Sequence, residues 1–88
     1  MTRLTFVGKP GCHLCDDAHA VVDQVLAEFP DVEVVERSIL DDPALFEAYV
    51  DEIPVLLIDD RVHTIWRADA ERLRAALTAA IDTGVASF

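Results

Sequence analysis

The sequence predicts an α/β fold: one four-stranded mixed sheet with helices packed on it, in the order β-α-β-α-β-β-α. Three observations lead there. Apolar residues recur at helical spacing from Leu14 to Phe29 and again from Leu73 to Ile81. Short runs rich in β-branched residues separate those stretches. The run Ile53 to Ile58 is apolar throughout, as expected of a strand covered on both faces. Helices interleaved with strands and closed by a hairpin build a single mixed sheet.

Each element has its own signal. Arg3 to Val7 reads as the first strand, and Gly8, Pro10 and Gly11 break it. Leu14, Ala18, Val21, Val22, Val25, Leu26 and Phe29 mark one face of the first helix, which Pro30 and Asp31 end. Val32, Val34 and Val35 lead a second strand that finishes near Ile39. Asp41 or Asp42 caps a helix with Pro43 in its first turn, running through Leu45, Phe46 and Tyr49. A central strand begins after Pro54, Asp59-Asp60 forms a turn, and Arg61 to Trp66 alternates and pairs back as a hairpin. Asp69 caps a last helix carrying Leu73, Ala76, Leu77, Ala80 and Ile81, with Gly84 as its stop.

A chain of 88 residues allows one domain, 1–88, and excludes a two-domain enzyme. With 52% hydrophobic residues against 27% charged, it buries a core and is not a disordered tail. Seven Lys and Arg against 17 Asp and Glu leave a net charge of -10, too few cations to neutralise a nucleic acid or favour an anionic membrane. The N-terminal stretch has no long apolar run, so no signal peptide is expected, and a cytoplasmic monomer is. In that compartment thiols stay reduced, and the two cysteines are not expected to form a structural staple.

The chemistry concentrates in Lys9-Pro10-Gly11-Cys12-His13-Leu14-Cys15, between the first strand and the first helix. Cysteines three apart share one side of a helical turn, within reach of a disulfide. Cys12 falls at the helix start, where unpaired N–H groups and the positive end of the dipole favour an anion. It is expected to be the more acidic thiol and to attack a substrate disulfide. Cys15, one turn inside and more covered, is expected to resolve the mixed disulfide. A C-x-x-C pair also occurs as half of a zinc site, but the chain has no second pair. The alternative from another class is a metal-binding module in which Cys12, Cys15 and His19 supply three ligands of a tetrahedral set.

Together with Ile53-Pro54-Val55 and the element order, this stretch resembles the glutaredoxin-like branch of the thioredoxin superfamily, over essentially the whole chain. The resemblance implies a thioredoxin-like fold and a dithiol oxidoreductase that needs no bound cofactor. It implies Cys12 as nucleophile and Cys15 as resolving thiol. It implies Ile53 as a backbone clamp on substrate, Pro54 as a cis proline before Val55, and Lys9 as the basic residue that meets a glutathione carboxylate. By chain statistics alone an X–Pro bond is cis in only about 5–6% of cases. The implied partners are a disulfide-containing protein substrate and a reductase or low-molecular-weight thiol.

The chain departs from that pattern in two places. His13-Leu14 replaces the usual Pro-Tyr between the cysteines, and Trp66-Arg67-Ala68-Asp69 replaces a Gly-Gly turn with its acidic residue. Asp69 stands for the acidic residue, and without the glycines glutathione is expected to serve only weakly. Trp66 either flanks the substrate cleft or closes the core. His13 either tunes the Cys12 thiolate or is simply exposed. Asp16 and Asp17 complement the helix dipole, while Asp23, Glu28, Asp31, Glu33 and Asp51 read as a solvated acidic surface.

Overall fold

Four strands and three helices follow one another as expected: β1 (Arg3–Gly8), α1 (His13–Leu26), β2 (Glu33–Ser38), α2 (Pro43–Tyr49), β3 (Val55–Ile58), β4 (Arg61–Ile65) and α3 (Ala70–Ala86). The structure is a computed structural model that describes residues 2–86, with side chains through Ile81. The sheet runs β2-β1-β3-β4. β1 is parallel to β2 and antiparallel to β3, and β3 and β4 form the antiparallel hairpin. This is a thioredoxin-like arrangement. None of its described helices is long and apolar enough to cross a membrane.

Burial follows strand position. Central β1 and β3 place Leu4, Phe6, Val7, Val55, Leu56 and Ile58 in the core. α1 adds Cys15, Ala18, Val22 and Val25, whose steps of three and four residues keep them on one face. α3 adds Leu73 and Leu77, four apart and fully buried. Edge strand β2 carries no buried residue, and α2 carries none either.

The boundaries move for local reasons. α1 ends at Leu26 rather than Phe29, with Ala27 as its C-cap. The chain leaves through a tighter turn in which the Glu28 and Phe29 N–H groups donate to Val25 and Leu26 carbonyls. Asp42, not Asp41, caps α2, its Oδ1 accepting from the Ala44 N–H at 2.9 Å. Gly84 does not stop α3, which continues to Ala86. A lone glycine costs a helix only about 1 kcal/mol relative to alanine and ends it only where a left-handed cap forms.

Asp59 and Asp60 both take positive φ, 50° and 67°, the hairpin turn whose twist matches the strands. Asp59 offsets that conformation by exchanging two hydrogen bonds with Arg3: its N–H donates to the Arg3 carbonyl at 2.9 Å, and its Oδ1 accepts from the Arg3 N–H at 2.8 Å. The alternation of Arg61 to Trp66 predicts a regular strand, but the register slips between Leu56↔Thr64 and Leu57↔Val62, leaving His63 as an extra residue. The His63 Nε2 and Thr64 Oγ1 are buried without a hydrogen-bond partner among the described residues. Burial first, then the charge of Arg72, holds the His63 imidazole below its ordinary pKa.

Candidate functional site

The sheet register gathers the site at one end. Val7 pairs with Val55, so the next antiparallel position sets Gly8 beside Pro54. Val55 also pairs with Ile65, and the following Trp66 N–H donates to the Pro54 carbonyl at 2.8 Å. From Gly8 the chain crosses Lys9 to Gly11 and enters α1. Gly11 makes that entry possible with φ at +75°, a conformation glycine adopts without a Cβ penalty.

Cys12 is the N-cap of α1, with extended backbone at φ -97° and ψ 116°. Its Sγ accepts from the Cys15 N–H at 3.2 Å, where a serine or aspartate oxygen usually sits. The sulfur therefore rests among the unpaired N–H groups of a helix start. Cys12 is partly exposed, Cys15 is buried, and both are free thiols. Burial first, then hydrogen bonding to Cys12 and the charges of Cys12 and Asp16, pushes the Cys15 thiol up to about 11, against the pull of a Lys9 backbone hydrogen bond.

That asymmetry has a measurable result. Iodoacetamide should label Cys12 first at neutral pH, because only thiolates react and only Cys12 is accessible. Cys15 labelling should rise only as pH climbs toward about 11, where its thiol ionises. Peptide mapping by mass spectrometry across pH reads both, and preferential labelling of Cys15 at pH 7 would reverse the roles.

Gly8 enters the site for a reason the sequence hid. A Cβ at Gly8 would lie 3.0 Å from Cys15 Sγ and 3.2 Å from Phe6 Cε1. Its lack of a side chain lets α1 bring Cys15 down onto the sheet. Gly8→Ala should cost about 1–3 kcal/mol through overpacking. It should also slow release of the mixed disulfide by displacing Cys15, readable by urea melts and by mass spectrometry of the quenched reaction.

Of the other expected site residues, Ile53 and Val55 are buried, Pro54 is buried too, and the Ile53–Pro54 bond is cis. Lys9 is exposed and flanks a groove of about 370 Å³ on the β2 side of α1, with Cys15, Asp16, His19, Glu36 and Arg37 among its walls. Asp69 stands apart as the N-cap of α3, its Oδ1 accepting from the Arg72 N–H at 2.9 Å. On the opposite flank of α1 a second groove of about 250 Å³ is lined by Leu14, Asp17, Ala18, Val21, Trp66, Arg67 and Ala68. Trp66 does not close the core: it is 52% exposed.

His19 corrects the metal-ligand alternative. Its Nδ1 lies 3.1 Å from Asp23 and its Nε2 2.6 Å from Glu36, so both ring nitrogens face carboxylates. Burial works against the charged imidazolium, but the Glu36 and Asp23 carboxylates outweigh it and hold the pKa above the ordinary value. With both ring nitrogens held by carboxylates, the ring offers no free nitrogen to a metal beside the cysteines. Among the described residues no three His, Cys, Asp or Glu side chains gather as a ligand set. Asp23 and Glu28 also leave the merely solvated surface, Glu28 accepting a two-pronged contact from Arg74 with the shortest bond at 2.8 Å.

Comparison with known proteins agrees with this arrangement. Residues 3–78 match the family described as Glutaredoxin-like domain (DUF836). The X-ray structure of protein XcR50 from X. campestris is 37% identical, with a TM-score of 0.65 over 86% of this chain and 96% of that one. Protein Ne2328 from Nitrosomonas europaea is 26% identical, with a TM-score of 0.68 over 85% and 89%. Chloroplastic thioredoxin z shares the fold, with a TM-score of 0.76 over 93% of this chain and 80% of that one at 15% identity. No curated protein matches the sequence.

Proposed function

The chain belongs to the glutaredoxin-like domain family (DUF836), and from that premise we propose that it is a small dithiol oxidoreductase reducing disulfides through Cys12 and Cys15. The observation that carries the reading is the pair itself: Cys12 Sγ at the helix cap, 3.2 Å from the Cys15 N–H, with the Cys15 thiol buried one turn behind.

The Cys12 thiolate attacks one sulfur of a substrate disulfide. A Cys12–substrate disulfide forms, and the other substrate sulfur leaves as a thiolate that takes a proton from water. Cys15 then loses its proton and attacks Cys12 Sγ, expelling the second substrate thiol. The products are a fully reduced substrate and a Cys12–Cys15 disulfide, the two electrons having come from the two cysteines. A reductase or low-molecular-weight thiol returns them. The buried, weakly acidic Cys15 stays protonated until the mixed disulfide exists, which spares it from attacking in place of Cys12. Ile53 and Pro54 would orient the substrate backbone beside the sulfur, and the cytoplasm would keep the cycle supplied with reductant.

Glutathione is expected to be a poor reductant. The Arg72 N–H at the start of α3, one of the groups that could hold its γ-glutamyl carboxylate, is already bonded to Asp69. Lys9 offers one exposed charge, worth little alone. A net charge of -10 gives an anionic thiol no long-range attraction. The test is disulfide reduction run separately with glutathione plus its reductase and with a thioredoxin-reductase system. Activity with the second and a kcat/KM below about 10⁴ M⁻¹s⁻¹ with the first is expected. Inactivity in both would sink the oxidoreductase reading, and a higher glutathione value would make glutathione the working donor.

A further inference from the structure

We infer that the open edge of β2 pairs antiparallel with β2 of a second copy of this chain, Glu33 of each strand lying opposite Arg37 of the other. The inference does not rest on the dithiol reading above, and it departs from the monomer expected of the sequence.

The sheet has two open edges, and they differ. Edge strand β4 carries the bulge at His63, a device that spoils the ladder for any further strand. Edge strand β2 is six residues long and pairs with β1 in unbroken register, from Arg3↔Glu33 to Gly8↔Ser38. It holds no proline and no lysine, and Glu33, Val34, Glu36 and Arg37 are all exposed. Of the features that blunt an edge it has charge alone, and its charges are of both signs.

Hydrogen bonding leaves one register. The Glu33 N–H donates to the Thr2 carbonyl and the Ile39 N–H to the Gly8 carbonyl, both at 3.0 Å. Backbone groups alternate sides along a strand, so Glu33, Val35 and Arg37 face β1, while Val34, Glu36 and Ser38 face outward. The Ser38 carbonyl already accepts from the Asp41 N–H, and the Val32 N–H already donates to the Phe29 carbonyl, each at 3.1 Å. Among the described residues that leaves Val34 and Glu36 with both outward groups free. Opposite residues of an antiparallel pair exchange N–H and C=O groups. Setting Val34 against Glu36 of the other copy uses all of these groups, about a two-fold axis through Val35, as a self-complementary contact requires. A slip one way needs the occupied Ser38 carbonyl and sets Glu36 against Glu36. A slip the other way needs the occupied Val32 N–H.

Charge selects the same register. It places Glu33 opposite Arg37 at both ends, and opposite charges directly across a pair of strands stabilise it. Arg37 makes no ion pair of its own among the described residues. The Glu36 carboxylate is turned back to His19 at 2.6 Å and stays out of the contact. Arg3 and Arg37 offset Glu33 and Glu36, so this edge is balanced on a chain of net charge -10, and two copies repel least there. Val34, 44% exposed in the single chain, gains cover in the pair.

Sedimentation of the parent protein, held reduced so that Cys12 and Cys15 link no copies, is the test. At about 0.15 M salt, which screens the net charge, the mass should rise from one chain to two between roughly 10 µM and 1 mM, the range of a small interface. Arg37→Glu sets two carboxylates opposite each other, and Glu33→Arg sets two guanidinium groups opposite each other. Each should weaken the pair about tenfold or more. An equimolar mixture of the two variants restores both opposite-charge pairs and should dimerise where neither variant does alone. In the parent, amide exchange at Val34 and Glu36 should slow as concentration rises, a readout that needs no variant. A parent that stays a single chain throughout, variants that associate as the parent does, a mixture no better than its parts, or unchanged exchange at Val34 and Glu36 would overturn the inference. Disulfide reduction enters none of these measurements, so this pairing and the dithiol reading fail separately.

Discussion

Cys12→Ser is expected to abolish disulfide reduction, by roughly three orders of magnitude or more, while leaving the fold as stable as before. The substitution changes one atom. An alcohol does not ionise near neutral pH and is a far weaker nucleophile toward sulfur than a thiolate. The same atom, however, is the N-cap of α1, where Sγ accepts from the Cys15 N–H. Serine is among the best residues for that position, so the capping bond survives and tightens. Loss of activity with an unchanged or raised melting temperature therefore isolates the chemistry from the structure. Cys15→Ser should differ in kind. Its first step remains, and the Cys12 mixed disulfide accumulates, visible as the mass of one bound substrate half. A Cys12→Ser protein that still turns over would transfer the nucleophile's role elsewhere.

Leu77→Ala is expected to produce the largest loss of stability, about 2–5 kcal/mol. Leu77 has no accessible surface, and among the described residues of α3 only Leu73 and Leu77 are fully buried in the core. Removing three carbons leaves a cavity between α3 and the sheet that so short a chain has few other contacts to collapse into. Domains typically hold about 5–15 kcal/mol in all, and small ones sit low in that range. Urea unfolding should show the midpoint falling sharply with little change in slope. A loss below about 1 kcal/mol would mean that α3 is not fastened to the sheet as described.

The parts of this fold that sequence reveals are those governed by short-range periodicity. The steps of three and four in α1 predict the face that carries Cys15, Ala18, Val22 and Val25, and the unbroken apolar run predicts that β3 is central. The place of Cys12 at a helix start follows from Gly11 and the apolar pattern behind it. Features set by register stay hidden. Gly8 reads as a strand breaker, and its closeness to Cys15 exists only once β1 and α1 are packed. The bulge at His63 is invisible because Arg61 to Trp66 alternates as a flat strand would. Trp66 is the instructive miss. Propensity argues against a left-handed tryptophan, and nothing in the sequence marks the backbone there as unusual. The cis Ile53–Pro54 bond follows from family resemblance, since chain statistics favour trans. The spacing of His19 from the cysteines raised the ligand alternative, and only packing shows that Asp23 on the same helix and Glu36 on β2 engage both ring nitrogens.

The order β2-β1-β3-β4 divides the chain near its middle. Both thiols and Lys9 belong to the leading β-α-β half, and Pro54, Trp66 and Asp69 to the trailing β-β-α half. The halves meet along four paired residues, Leu4 to Val7 against Ile58 to Val55, and where α1 touches α3. The two thiols and the cis proline thus have separate origins, assembled at the end of a seam. A breathing motion along that seam would dismantle the site while each half kept its own strands and helix. A disulfide substrate lying across both halves, as the proposed function requires, would work as a clasp and lend its affinity to keeping the molecule shut.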